Sequence, residues 1–530
     1  MKNLFRILLF TILALLTVHT LIYIAFGVAL IPFPFDYDQA EGYELNNAVL
    51  MAQGGCPYCN NDVFPFYGSG YPPFFHILMI PFVKLFGPQF WYGRLIIFLS
   101  TFITAFAISW AVQRQEKHKL IALIAGLAFL SSNYIYHIGP LLRQHLLMVM
   151  FETLAVVVIA NAFTQETQGR NRRLFIAFTL LLIAGYTKQL SYATSIAVAV
   201  WVFIRNPRSA IIYGIGLIAC AGFIFGLLML ATDNQWWINI ITSNQNPYKT
   251  DQFIGLLIQF FRLHWWIILP ASLLVIYELY LDKLTIYSIW FVISFANTAG
   301  AGKWGAGDSY FATFLVSACI LSGIVLARSL NNKWTLPENN YISAILMRFN
   351  IPHIQRILGL VCLCLFIGYG ITVFKMPTSG QLFEPIAKAL NISPLPSWRY
   401  PLYDPAGWTV GYAVTGHLPT PEDYANGWKI IEEVNKTDDL LMSEDASFSF
   451  RSGRDVITNG VQLKNLWEND KYNPDNLVKL IENQEFGLII LRAHLFPTPV
   501  LIAIETHYEI DKIIPMNGFA YELWRPIPLQ

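Results

Sequence analysis

Directly after the first apolar stretch runs Asp36-Tyr37-Asp38-Gln39-Ala40-Glu41-Gly42-Tyr43-Glu44. Carboxylates at the mouth of an apolar helix are costly to place there and mark a candidate site. One of Asp38, Glu41 or Asp36, set beside an acceptor hydroxyl, can take its proton. The same spacing has a plainer use. Asp38 and Glu41 stand three apart, as in a capping box, and would start a helix carrying Tyr43 to Met51. The two roles do not exclude each other.

The second set is cationic. Arg94, Arg143, Lys188, Arg262 and Lys303 fall at or near the expected outer face, against the usual bias of Lys and Arg toward the cytoplasm. Arg143 and Lys188 stand at helix mouths beside Gln144 and Gln189, where they suit the phosphate of a lipid carrier. Snorkelling to headgroups is the alternative, and it is preferred for Arg262 beside Trp265 and Trp266. The third feature is the segment Asn297–Tyr310, with Gly300, Gly302, Gly305 and Gly307 around Lys303 and Asp308. Such a glycine density gives a mobile or close-packed backbone. It suits a sugar pocket with Asp308 accepting from hydroxyls, or a flexible connector. No two histidines have ligand spacing on an outer-face helix, so no metal is assigned.

The elements that must position these groups are membrane helices. Of the 530 residues 55% are hydrophobic and 13% charged, with mean hydropathy +0.46, whereas soluble domains carry about 25% charged residues. An ordinary soluble enzyme, a disordered scaffold and a nucleic-acid binder are excluded, the last also by a net charge of +1. Apolar runs at Ile7–Ile31, Leu95–Val112, Leu120–Tyr136, Leu146–Phe163, Leu174–Tyr186 and Leu190–Phe203 are followed by Ile211–Leu230, Trp266–Leu281, Leu284–Ala296, Phe311–Leu326 and Ile357–Phe374. They predict a polytopic α-helical membrane protein with about eleven transmembrane helices. That count puts Arg114, Arg170, Arg205 and Arg328 in the cytoplasm with the N-terminus, and the C-terminal tail outside. Phe74–Phe86, short and holding Pro81 and Lys84, reads as an interfacial or re-entrant helix. The chain is expected to turn back at Lys188–Gln189. From about Met376 polar residues become frequent and a small α/β domain is expected, with strands at Asp439–Ser443 and Phe486–Leu491 and amphipathic helices at Pro421–Val434 and Asn473–Asn483. Two domains follow: 1–375, with its first outer loop at about 33–90, and 376–530 outside the membrane. Cys56 and Cys59 suit a local disulfide in an oxidising compartment.

The order of one span, an acidic motif, a Gly-rich joint, Tyr71-Pro72-Pro73, Leu85-Phe86-Gly87 and Gly93-Arg94-Leu95 resembles the first outer loop of GT-C superfamily glycosyltransferases. Nearest in pattern are family 39, the protein mannosyltransferase and aminoarabinose-transferase-like enzymes. Leu142-Arg143, Tyr186-Thr187-Lys188-Gln189 and the stretch from Lys303 to Phe311 extend the likeness over about two-thirds of the chain. The resemblance implies transfer of a sugar from a polyprenyl-phosphate donor to a glycan, lipid or protein acceptor on the outer face, with inversion. The family's Asp-Glu pair is matched by Ala40 and Glu41, so Asp38 or Asp36 would supply the base. The phosphate would lie on Arg143 and Lys188, with Lys303 and Arg94; Tyr71, Gln189, Asp308 and Tyr310 would line the sugar and acceptor pocket. Trp236-Trp237 is followed by Ile238 rather than Asp, which argues against oligosaccharide transfer to asparagine.

A monophosphate leaving group is manageable by Lys and Arg alone, so no cofactor is required; a divalent cation is compatible but not expected. The expected location is the plasma (inner) membrane, with membrane lipids as partners and no nucleic acid. A lipid-linked glycan transporter would show internal symmetry, which the sequence lacks. A non-catalytic anchor for the C-terminal domain is the other alternative.

Overall fold

The computed structural model describes residues 2–38, 40–163, 169–337, 340–346, 351–377, 381–391 and 418–528; Gln39 of the acidic run lies outside them. The first helices are α1 (Lys2–Leu30), α2 (Glu41–Ala52), α3 (Phe74–Phe86), α4 (Trp91–Glu116), α5 (Lys119–Leu130), α6 (Asn133–Ile138) and α7 (His145–Ala160). There follow α8 (Arg170–Thr187), α9 (Tyr192–Arg205), α10 (Pro207–Ala231), α11 (Gln235–Ile240), α12 (Thr250–Leu281), α13 (Ile286–Asn297) and α14 (Ala312–Leu330). Three more are α15 (Tyr341–Leu346), α16 (Ile351–Thr372) and α17 (Phe383–Ala389).

Every predicted apolar run is helical, because a backbone in hydrocarbon must bond within its own segment. Among the described residues, six helices are long and apolar enough to cross a bilayer by length and composition: α1, α4, α10, α12, the segment Asp308–Leu330 that contains α14, and α16. The chain is a multi-pass helical membrane protein. The Asp308–Leu330 segment is the axis of the bundle, 94% buried over its most apolar window, whereas no residue of the corresponding α10 window is buried and that helix faces outward. One run departs from expectation. Leu120–Tyr136 breaks at Ser131–Ser132, where the Ser132 hydroxyl accepts from the Tyr134 amide at 3.2 Å and restarts the chain as α6. The turn expected at Lys188–Gln189 is there: α8 ends at Thr187, and a single 3-10 turn, Gln189–Ser191, leads into α9.

The C-terminal part opens with α18 (Pro421–Val434), held by a capping box in which Thr420 and Asp423 exchange side-chain and backbone bonds. Then come β1 (Leu440–Ser443), α19 (Ser447–Ser452), α20 (Gly460–Glu468), α21 (Asp475–Glu482), β2 (Phe486–Leu491), α22 (Thr498–His507), β3 (Tyr508–Met516) and β4 (Phe519–Pro526). The strand order is β1-β2-β4-β3, with β1 and β2 parallel and the rest antiparallel. All six residues of β2 are buried, as a strand covered on both faces requires. The β3–β4 hairpin, absent from the sequence reading, closes the sheet; β3 is its mostly exposed edge and carries Glu509, Asp511 and Lys512.

This part sits on the loop after α1. Asp36 accepts the Ser447 amide at 2.8 Å, Asn517 donates to the Tyr37 carbonyl at 2.9 Å, and Arg451 donates to the Pro34 carbonyl at 3.1 Å. The Phe35 ring lies between Trp428 and Phe448, at centroid distances of 5.5 and 5.9 Å. Gly427 on α18 allows that approach, since a Cβ there would meet the Phe35 ring at 2.2 Å.

Candidate active site

The three expected carboxylates diverge within one turn of chain. Ala40 occupies the N-cap of α2 and has no side-chain oxygen. Its neighbours do the capping: Asp36 accepts the Gly42 amide at 2.6 Å, and Glu41 accepts the amides of Tyr37 and Asp38 at 3.0 and 3.2 Å. The expected capping box between Asp38 and Glu41 is therefore half made, with Asp36 supplying the other half. The Asp38 carboxylate points to Arg143, 3.2 Å away.

Glu41 and Arg94 form a fully buried pair at 2.7 Å. Arg94 spends all five N–H groups, on both Glu41 oxygens and on the carbonyls of Leu30, Phe33 and Phe35. Burial pushes the Glu41 pKa up; the Arg94 charge and the donors of Arg94, Leu142 and Tyr37 outweigh it and hold the carboxyl below its ordinary value. Arg94 is thus occupied within the protein and has no donor left for a phosphate. Asp36 is likewise turned from the bundle toward the C-terminal part, and its pKa is raised by burial and by the nearby Asp445.

The remaining groups converge. A cavity of about 280 Å³ is lined by Asp38, Tyr71, Arg143, Lys188, Gln189, Lys303 and Tyr310. The Lys188 ammonium sits between two rings, 5.0 Å from the Tyr71 centroid and 5.7 Å from that of Tyr310. Burial and the Arg143 guanidinium lower its pKa to about 7, against an opposing pull from Glu44. The glycine-rich segment is close-packed. Gln252 donates to the carbonyls of Ala301, Lys303 and Ala306 at 2.7, 2.8 and 3.1 Å, and a Cβ on Gly302 would meet the Tyr248 ring at 2.5 Å. Asp308 is buried but is not among the residues lining the cavity.

Other lining groups come from positions that residue type alone does not single out. Glu44 and Asn47 come from α2, Asn244 and Asn246 from the segment before α12, and Asn459 and Gln462 from the C-terminal part. Glu44 stood in the acidic run but was given no role. Its partner His76, with Nε2 at 2.6 Å, was hidden inside the apolar run Phe74–Phe86. Asn459 donates to the Gly68 carbonyl at 2.8 Å and Gln462 to the Asn239 carbonyl at 3.1 Å, so the C-terminal part forms one wall of the cavity. Nearby, Cys56 and Cys59 are joined as a disulfide.

No family model matches the sequence, and no curated protein matches it. Solved structures do. ArnT from Cupriavidus metallidurans in the apo state aligns with a TM-score of 0.57 at 12% identity, over 95% of this chain and 97% of that one. The same protein bound to undecaprenyl phosphate gives 0.56 at 12% identity over the same shares. The archaeal oligosaccharyltransferase AglB from Archaeoglobus fulgidus, in complex with an inhibitory peptide and a dolichol-phosphate, gives 0.44 at 11% identity, over 96% of this chain and 74% of that one. ArnT is an aminoarabinose transferase, and this chain shares the fold of its structures along nearly its whole length.

Proposed function

We propose that this protein transfers a sugar from a polyprenyl-phosphate donor to an acceptor hydroxyl, with inversion, at the outer face of the plasma (inner) membrane. The N-terminus is then cytoplasmic and the C-terminal part extracytoplasmic. The observation that carries the reading is the single cavity holding Asp38 and Glu44 together with Arg143, Lys188 and Lys303. A phosphate leaving group needs fixed positive charge where its own charge develops, and preorganised cations in a partly dry site supply it. Arg143 offers a fork, while Lys188 and Lys303 act as point charges. The acceptor oxygen needs a carboxylate to take its proton as it attacks the anomeric carbon. Tyr71, Gln189 and Tyr310 give the apolar faces and amide groups that orient a sugar ring. ArnT, of the same fold, has been seen with undecaprenyl phosphate, which supports that donor class. The chemistry runs on these cations and carboxylates with no cofactor. The acceptor is a glycan, lipid or protein.

The test is incubation of the purified full-length protein with a panel of radiolabelled polyprenyl-phosphate sugars. Release of polyprenyl phosphate from at least one donor is expected. Release abolished in Arg143→Ala and Lys188→Ala, both still folded, supports the assignment; no turnover of any donor refutes it.

A further inference from the structure

Two carboxylates line the cavity, and they are held differently. Asp38 is tied to Arg143 at 3.2 Å, so a proton arriving on Asp38 dissolves that pair and frees the cation that positions the phosphate. Glu44 is held by His76, whose Nε2 lies 2.6 Å from its Oε2, and both side chains are buried. An imidazole both donates and accepts protons. A proton landing on the other Glu44 oxygen weakens the Nε2–H···Oε2 bond but leaves it in place, so this carboxylate takes a proton without releasing its partner. The His76 Nδ1 is buried without a hydrogen-bond partner among the described residues, so the ring's polar contacts run through Nε2, to Glu44 and to the Asn47 amide at 3.3 Å. Beside Glu44 the wall continues with neutral polar groups, Asn47 donating to the Ser69 hydroxyl at 2.9 Å. That wall suits acceptor hydroxyls rather than a phosphate.

We infer that Glu44, backed by His76, is the catalytic base of the transfer, and that Asp38 is a positioning residue for Arg143. The inference rests on the reaction proposed above. The acceptor O–H bond breaks and its proton passes to Glu44. The freed oxygen pair forms the bond to the anomeric carbon. The bond from that carbon to the phosphate oxygen breaks, and its electron pair leaves with the lipid phosphate onto Arg143, Lys188 and Lys303. Water in the cavity then takes the proton from Glu44.

The experiment compares two nucleophiles on the full-length protein with a turned-over donor: methanol, which must lose a proton, and azide, which has none to lose. For Glu44→Gln, transfer to methanol is expected to fall about 10²–10⁴-fold, while glycosyl azide forms at close to the wild-type rate and binding of undecaprenyl phosphate is unchanged. His76→Gln follows the same pattern more weakly. Asp38→Asn loses both products, because the phosphate end is disturbed. Glu44→Asp keeps a carboxylate and restores part of the methanol transfer, which guards against a folding defect. The inference is overturned if Glu44→Gln loses azide and methanol transfer equally, or keeps both, or if Asp38→Asn alone loses methanol while keeping azide. A wild-type protein that turns over no donor with either nucleophile and binds no undecaprenyl phosphate would instead sink the reaction itself.

Discussion

Glu41 accepts the backbone amide of Leu142 at 2.6 Å while its carboxylate is paired with Arg94. The acidic motif is thereby fastened to the residue next to Arg143. Glu41 holds the two halves of the cavity in register without lining it. Removing one partner of a buried pair leaves the other charge stranded in low dielectric, which costs about 3–5 kcal/mol. Glu41→Ala and Arg94→Ala should therefore each lower the thermal midpoint in detergent by several degrees. Arg94→Lys should not restore it, because one ammonium cannot reach the five acceptors that the guanidinium serves. Transfer should be lost in step with folding. A Glu41→Ala protein of wild-type stability but without activity would make Glu41 a reacting group instead.

The contact between Phe35 and Gly427 predicts how the C-terminal part seats on the loop after α1. Alanine in a helix interior usually gains about 1 kcal/mol over glycine. Here its Cβ would meet the Phe35 ring at 2.2 Å, and Phe35 is fully buried between Trp428 and Phe448. Overpacking of that kind costs about 1–3 kcal/mol, so the steric term wins. Gly427→Ala should expose the interface near Asp36 and Ser447 to faster hydrogen exchange and weaken acceptor use. Undecaprenyl phosphate binding, which depends on the helical part, should change little. Unaltered exchange at Phe35 and Ser447 would mean that the interface is looser than described.

The helices were legible because a long apolar run in lipid must satisfy its backbone within itself, and the turn at Lys188–Gln189 and the start of α18 after Thr420 carry their own polar signals. In the candidate site, residue type identified Arg143, Lys188 and Lys303 as cations worth placing. What type cannot give is partnership across distant segments. Arg94 has the same residue type as Arg143, but five acceptors from the end of α1, the loop after it and the start of α2 surround it. His76 carries no signal of its own because its neighbours on α3 are apolar; only the packing of α3 on α2 brings it to Glu44. The contribution of Asn459 and Gln462 was out of reach for the same reason, since they lie hundreds of residues from Gly68 and Asn239.

Gln252 predicts that the glycine-rich segment is held by a side chain from α12. Its amide reaches three carbonyls of that segment. Leucine matches its size but donates nothing, and each buried carbonyl left without a donor costs about 1–3 kcal/mol. Gln252→Leu should release Lys303 from its position and weaken undecaprenyl phosphate binding several-fold, while Gln252→Glu, with no N–H to donate, should do no better. Wild-type affinity in both variants would show that the segment holds its shape without Gln252, through its bonds to the 246–249 stretch.

Lys188 makes donor binding depend on pH, and the sign follows from the direction of its shift. Burial and Arg143 lower its pKa to about 7, so the charged form prevails below that pH and the neutral form above it. A phosphate beside it favours the charged form, so the pKa rises on binding and a proton is taken up. Affinity for undecaprenyl phosphate should then be highest below about pH 7 and fall by up to ~10-fold per pH unit above it, one unit of pKa being about 1.4 kcal/mol. The ligand's own second ionisation, near pH 6, is almost complete before this window opens. Calorimetry at pH 8 in two buffers of different ionisation enthalpy should record uptake of up to about one proton. Lys188→Arg keeps its charge throughout and should flatten the profile. A flat wild-type profile from pH 6 to 9 with no proton uptake would remove Lys188 from the phosphate site.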